Sequence, residues 1–282
     1  MKLYVNSKTR ASGTHDADFA ISLPRPLVIR GRQKAFIDSV ILSNSFYTIR
    51  FNENDQIYLR EDVSVFRIIT IPEGQYQAFS LRDAILVQLQ NGKTLGGNYT
   101  VDFSIVTQRL TINQTGLGTF HIYSGQLLQN NLSVWNDAAT TAMGAAAPLI
   151  TTLRSSDGVT GFVGDALLSG AGPNAGSTIP LVAIDAVNVQ PYTQLFLRSS
   201  LADTTSVMTS NGGSDIIRRI VIGQTALNDL CFDAHSLGFD SIDLKDRELN
   251  SIEFSLTDSN NRIVNTRGHE ISFSIIFVPV EE

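Results

Sequence analysis

The sequence predicts an all-β protein, a two-sheet β-sandwich or jelly roll with one short helix, its strand-rich ends separated by a charge-poor middle of loops and short strands. Three observations point there. Both ends of the 282-residue chain alternate apolar and polar residues with the period of two that a half-buried strand needs. Turn-forming clusters of Asn, Asp, Gly and Pro recur between those runs. Between the ends lies a charge-poor stretch, residues 125–190, whose only charged residues are Asp137, Arg154, Asp157, Asp165 and Asp185. The chain as a whole has 21 Lys and Arg and 27 Asp and Glu.

Taken in order, Phe19, Ile21 and Leu23 alternate with Ala20, Ser22 and Pro24, so one face of that strand is apolar. Residues 35–42 are apolar nearly throughout, as in a strand covered on both faces. Tyr47, Ile49 and Phe51 alternate again, Asn52–Asp55 forms a turn, and strands follow at Ile57–Leu59 and Val63–Ile71. Ser80 then reads as the N-cap of a short helix, with Asp83 three residues on and Leu81, Ala84, Ile85 and Leu89 on one face. Asn91-Gly92 ends it. Strands resume at Tyr99–Ser104, Arg109–Asn113 and Thr119–Tyr123, and the small, uncharged residues after Gly125 suit packed loops and short strands.

The tail returns to strand grammar at Leu195–Leu197, Ile216–Ile222, Ile252–Leu256 and Ile271–Phe277, the last two reading as a hairpin around Asp258–Asn261. About eight to ten short strands outside the middle suit two packed sheets. The expected organisation is an N-terminal arm over 1–17, two halves of one jelly roll over 18–124 and 191–282, and an insertion domain over 125–190. Residues 1–17, polar and rich in Ser, Thr and Gly, read equally as an arm that orders on assembly or as a frayed terminus.

Composition narrows the function. A net charge of -6 argues against a broad nucleic-acid-binding face, which needs excess Lys and Arg. The exception is Arg25, Arg30, Arg32 and Lys34, which read as a solvated strand edge kept from pairing by charge. One cysteine, Cys231, excludes an internal disulfide and reads as a buried thiol. No secretory signal and no membrane span is visible, so the expectation is a soluble protein made and folded in the cytosol, with the sequons at Asn98, Asn113 and Asn131 as chance matches.

No nucleotide-binding loop, nucleophile elbow, zincin motif or CxxC pair occurs. Four scattered histidines (His15, His121, His235, His269) and one cysteine are too few for a Cys/His zinc site. His15, Asp16 and Asp18 lack the spacing of a calcium loop, and Asp258–Asn260 lacks its closing glutamate. Glu253 sits more simply on a solvent face than in a cleft, and Trp135 stands alone rather than in a stacking platform. The sequence signals no catalytic, cofactor-binding or metal-ligating residue, and so no enzyme.

Several stretches, in this order, resemble the penton (vertex) capsid proteins of virophages, polintons and adintoviruses, in the adenovirus penton-base lineage. They are Tyr4–Lys8 with Asp18–Pro24, Val40–Ile49, Ile71–Tyr76 ahead of the Ser80 helix, Gln194–Leu201, Ile216–Ile222 and Leu249–Asp258. The resemblance covers about 1–124 and 190–282. It implies a homopentamer at the five-fold vertices of an icosahedral double-stranded DNA virus or virophage, within the virion and surrounded by major capsid protein. It also implies an outward insertion, the 125–190 segment, to meet a host receptor or vertex fibre, and it carries over no catalytic residue. The alternative is a sugar- or receptor-binding β-sandwich attachment module with 125–190 as its recognition loops; a sandwich-fold hydrolase is a third reading, which requires a deep cleft with two carboxylates.

Overall fold

Pairing register, rather than order in the chain, sorts the strands into sheets. The computed structural model describes residues 1–164, 167–174, 177–190, 192–202, 215–222, 229–233 and 241–280, with the backbone alone at 171–174, 177–178 and 229–233. The chain opens with β1 (Lys2–Asn6), a 3-10 turn at Ser7–Thr9, β2 (Ser12–His15), β3 (Asp18–Ile29) and β4 (Gln33–Ser43). It continues with β5 (Gln56–Glu61), β6 (Val65–Thr70), α1 (Ala78–Gln90), β7 (Tyr99–Phe103), β8 (Leu110–Gln114) and β9 (Thr119–Tyr123). Next come α2 (Gly125–Asn130), α3 (Ser133–Met143), α4 (Asp157–Thr160), β10 (Leu168–Asn174), β11 (Ser177–Ile179) and β12 (Leu181–Val182). Last are β13 (Gln194–Ser199), β14 (Ile216–Val221), β15 (Asp229–Asp233), β16 (Ser241–Leu244), β17 (Arg247–Thr257) and β18 (Ile271–Pro279).

The two ends build one jelly roll. One sheet runs β1–β18–β4–β15, with β16 beside β4 as well; the other runs β14–β13–β17–β3–β2. Consecutive long strands, β3 then β4 and β17 then β18, lie in different sheets, so the chain wraps around the sandwich as a jelly roll requires. The alternating residues of both sheets meet in one core, with Ile37, Val40, Leu42 and Ile275 from one and Ile21, Leu195, Leu197 and Ile252 from the other. Phe254 and Phe273 pack edge to face across it, ring centroids 4.9 Å apart.

This wrapping corrects two expectations. Ile252–Leu256 and Ile271–Phe277 do not form a hairpin, because the Asp258–Glu270 link carries the chain from one sheet to the other. Both strands turn an apolar face to the same core, which a strand pattern cannot distinguish from pairing. Residues 1–17 are not an arm: β1 pairs with β18, β2 pairs with β3, and Asp16 and Ala17 are buried. The polar residues that read as solvated are used internally, with Ser7, Lys8 and Arg10 all bonded to the Asp16 carboxylate.

Residues Tyr47–Pro191 form a second compact unit, the first being Met1–Phe46 with Tyr192–Glu282. The insertion therefore starts at 47, not 125. The strands expected to belong to the jelly roll pair among themselves and with the charge-poor stretch: β5 pairs with β6 and β9, β9 with β10, and β8 with β7 and β12. Gly125 marks the point where strands give way to helices α2–α4 inside this unit. Those helices stand where strands and loops were expected over 125–160, while β10–β12 are short strands of the kind expected in this stretch. Trp135 and Ala139, one turn apart on α3, are buried, and the indole packs edge to face on Tyr58, Phe66 and Tyr123 at 5.6, 5.0 and 5.2 Å.

Two local readings change as well. Tyr47–Phe51 is not a strand; only Ile49 bridges to Gly74. Helix α1 begins earlier than expected, with Gln77 as N-cap; Ser80 is its N3 partner, accepting the Gln77 N–H at 2.9 Å. The ends of the unit meet: the Thr48 hydroxyl donates to the Val189 carbonyl at 2.9 Å. In the jelly roll, the rings of Phe46 and Tyr192 on either side of the gap pack at 5.2 Å.

Candidate functional site

Of the residues singled out for chemistry, Asp16 and Asp258 are consumed locally. Asp16 accepts from Arg10 Nη1 at 2.6 Å and Lys8 Nζ at 3.1 Å, while His15 faces solvent on β2. Among the described residues, no three His, Cys, Asp or Glu side chains come together as metal ligands. Asp258 Oδ1 accepts the backbone N–H groups of Asn260 and Arg262 at 2.8 and 2.9 Å, so it stabilises a turn. Glu253 is exposed on β17. His235 and the Cys231 side chain lie outside the described residues, as does Asp165.

Of the basic residues, Arg30 and Arg32 sit on the connection between β3 and β4, while Arg25 lies in β3 and Lys34 in β4. Arg30 and Arg32 flank Gly31, which has φ +70° and donates its N–H to Asp246 Oδ1 at 2.5 Å. Arg25 rides a bulge where Leu23–Pro26 are extruded between the Ser22–Ser251 and Leu27–Leu249 pairs. Lys34 pairs in register with Asp243 of β16.

One juxtaposition escaped sequence reading. His121 Nδ1 and Ser169 Oγ lie 2.7 Å apart across β9 and β10. Burial, then the Arg60 guanidinium, holds the His121 pKa below its ordinary value, so the ring is neutral. Among the described residues no carboxylate hydrogen-bonds the imidazole, so the pair lacks the orienting group that a hydrolytic triad requires. Two grooves accompany these surfaces. One, of about 370 Å³, is lined by Arg10, His15, Asp16, Val264 and Thr266; the other, of about 350 Å³, by Asn52, Gln56, Ile150, Thr152 and Arg154. Neither is lined by the two carboxylates that a sandwich hydrolase would place in its cleft.

The inserted unit holds two buried carboxylates that no motif signals. Glu61, at the end of β5, is ion-paired with Arg67. Asp157 accepts from the Ser155 hydroxyl at 2.5 Å and from the Gly125 N–H at the start of α2. Burial pushes its carboxyl up to about 6, against the pull of those two donors. A carboxyl raised in the folded state binds its proton more tightly there than in the unfolded chain. Its contribution to stability therefore rises as pH falls through about 6 and levels off near the unfolded value, about 4. Thermal melts of wild type and Asp157→Asn at pH about 7 and about 5 check this. Wild type is expected to gain more than the variant on acidification; equal gains would refute it.

No helix among the described residues is long and apolar enough to cross a membrane. No protein-family model matches this sequence, and none of the curated proteins does. Among solved structures, the chain is similar to the crystal structure of the selenomethionine-labelled penton protein of mavirus, with a TM-score of 0.53 and 9% sequence identity. The match covers 98% of this chain and 99% of that one. At that identity the likeness is one of fold, and the chain has the β-rich, jelly-roll-like fold of that penton protein.

Proposed function

We propose that this chain is a structural capsid protein, the penton of an icosahedral double-stranded DNA virus or virophage, assembling as a homopentamer at the five-fold vertices. The observation that carries this reading is the fold match to a penton protein over 98% of this chain, inserted unit included. In this role its partners are its own copies and the surrounding major capsid protein, and its place is the virion, after synthesis in the host cytoplasm. Ring assembly calls for heterologous contacts that close after a fixed rotation. Size-exclusion with light scattering and negative-stain images of the purified protein test it. A five-fold ring is expected; a strict monomer at high concentration, with no vertex density in particles, would overturn it.

The inserted unit supports a second, compatible role in attachment. At the tip between β7 and β8, Ile105 and Val106 are 73% and 94% exposed, unusual for neighbouring aliphatic residues on a turn. Receptor binding that survives in the full chain but disappears on removal of 47–191 would support this reading. Binding that persists without those residues would end it.

A further inference from the structure

We propose that β1 is the edge through which one copy of this chain docks on the next, a contact that rests on the pentamer reading above. The sandwich has four edges: β1 and β15/β16 in one sheet, β2 and β14 in the other. Open edges template pairing with other chains, and folds guard them with bulges, charges or short broken strands. Three of these four are guarded. β2 is four residues long with a shifted register, and Gly13 at φ +117° leaves no room for a side chain against the Phe19 backbone. β14 has a register shift and carries Arg218 and Arg219 together. The β15/β16 edge is split into two short strands bearing Asp229, Asp233 and Asp243.

β1 has no bulge, and its one charge, Lys2, is already paired. Its five residues pair with β18 in unbroken register, and its Lys2 ammonium is held by Asp38 at 2.6 Å. Met1 and Phe277 exchange both backbone hydrogen bonds, at 2.9 and 2.8 Å. Bonded pairs alternate along an antiparallel ladder, so Leu3 and Val5 bond to β18 while Lys2 and Tyr4 turn their N–H and C=O groups outward. Val5 is buried in the core, and Tyr4 is left 76% exposed with Lys2 Nζ 5.1 Å from its ring centroid. Among the described residues, the edge thus offers unpaired backbone beside an exposed aromatic ring.

Charge selects the occupant. Residues 1–17, which supply β1 and β2, hold Lys2, Lys8 and Arg10 against Asp16 alone. The opposite edges carry Asp229, Asp233 and Asp243 on β15 and β16, and Arg218 and Arg219 on β14. A ring contact sets one side of a subunit against the other side of its neighbour, so opposite charges meet and steer docking. A symmetric β1-to-β1 contact would oppose like charges and close a dimer.

Two variants and one exchange measurement test the contact in the full chain. Tyr4→Pro removes the outward N–H while sparing the β1–β18 ladder, and Tyr4→Lys keeps the N–H but adds an edge-guarding charge. Wild type is expected to form rings in which the peptide spanning residues 1–7 exchanges its amide hydrogens slowly, and both variants to remain monomeric with an unchanged unfolding temperature. Rings that persist in both variants would overturn this contact and leave the pentamer reading standing. A wild type that never leaves the monomer overturns both. Should the variants melt early, the wild-type exchange decides: protection of 1–7 on assembly supports the contact, and unchanged exchange refutes it.

Discussion

Replacing Glu61 by alanine is expected to lower the unfolding temperature of residues 47–191 by about 6–20 °C, read from the emission of Trp135, the single tryptophan and one buried in that unit. Glu61 is fully buried at the end of β5. Arg67 Nη1 lies 2.5 Å from one carboxylate oxygen, which the Tyr99 hydroxyl also reaches at 2.9 Å. The Thr94 N–H and hydroxyl reach the other at 2.7 and 2.6 Å. Arg67 in turn donates to the carbonyls of Leu89 and Asn91 at the end of α1, so one ion pair ties β5, β6, β7 and the helix together. Burial first, then the Glu61 carboxylate, holds the Tyr99 phenol well above its ordinary pKa, which keeps it a donor. Alanine strands the Arg67 cation among groups that cannot replace the carboxylate, a loss of about 3–5 kcal/mol. Glu61→Gln keeps the shape and is expected to lose less. A wild-type melting curve in Glu61→Ala would show that the pair contributes nothing net.

Joining Phe46 to Tyr192 through a short Gly/Ser linker is expected to leave a folded jelly roll, and Tyr47–Pro191 expressed alone is expected to fold as a monomer. The hydrophobic cores are separate: one cluster is drawn wholly from 1–46 and 192–282, the other two wholly from 47–191. Both cuts fall where ends already meet, at the Phe46–Tyr192 ring contact and at the Thr48–Val189 hydrogen bond. Closing a short loop costs little beside a core of that size. Circular dichroism and Trp135 emission of the two products check this, and an unfolded excised unit or an aggregated spliced jelly roll would contradict it.

Strand existence was legible because a half-buried strand must alternate: Phe19 and Ile21, Leu195 and Leu197, and Phe273 and Ile275 all reach the core that the pattern implied. Strand partnership was not. Alternation says which face is apolar and nothing about which strand lies alongside, so β17 and β18 read as a hairpin and β5–β9 read as part of the jelly roll. Helix α3 was missed because Trp135 and Ala139 are its only fully buried residues, too few to show a period.

The sequence by itself determined an all-β chain with one clear helix, without a signalled catalytic motif and with a compositional break near its middle. Local spacing and residue type are enough for those conclusions. The tertiary structure decided where the chain divides, which polar residues are buried and which strand edge is left open. Asp16, Glu61 and Asp157 look like surface carboxylates in the sequence; Arg10 and Arg67 stand only six residues from the first two, but Thr94 and Tyr99 reach Glu61, and Gly125 reaches Asp157, from segments distant in the chain. Tyr4 looks like one more strand residue, and stands out only once every other edge of the sandwich is seen to be guarded. Burial and edge position belong to long-range pairing, and no window of neighbouring residues contains that information.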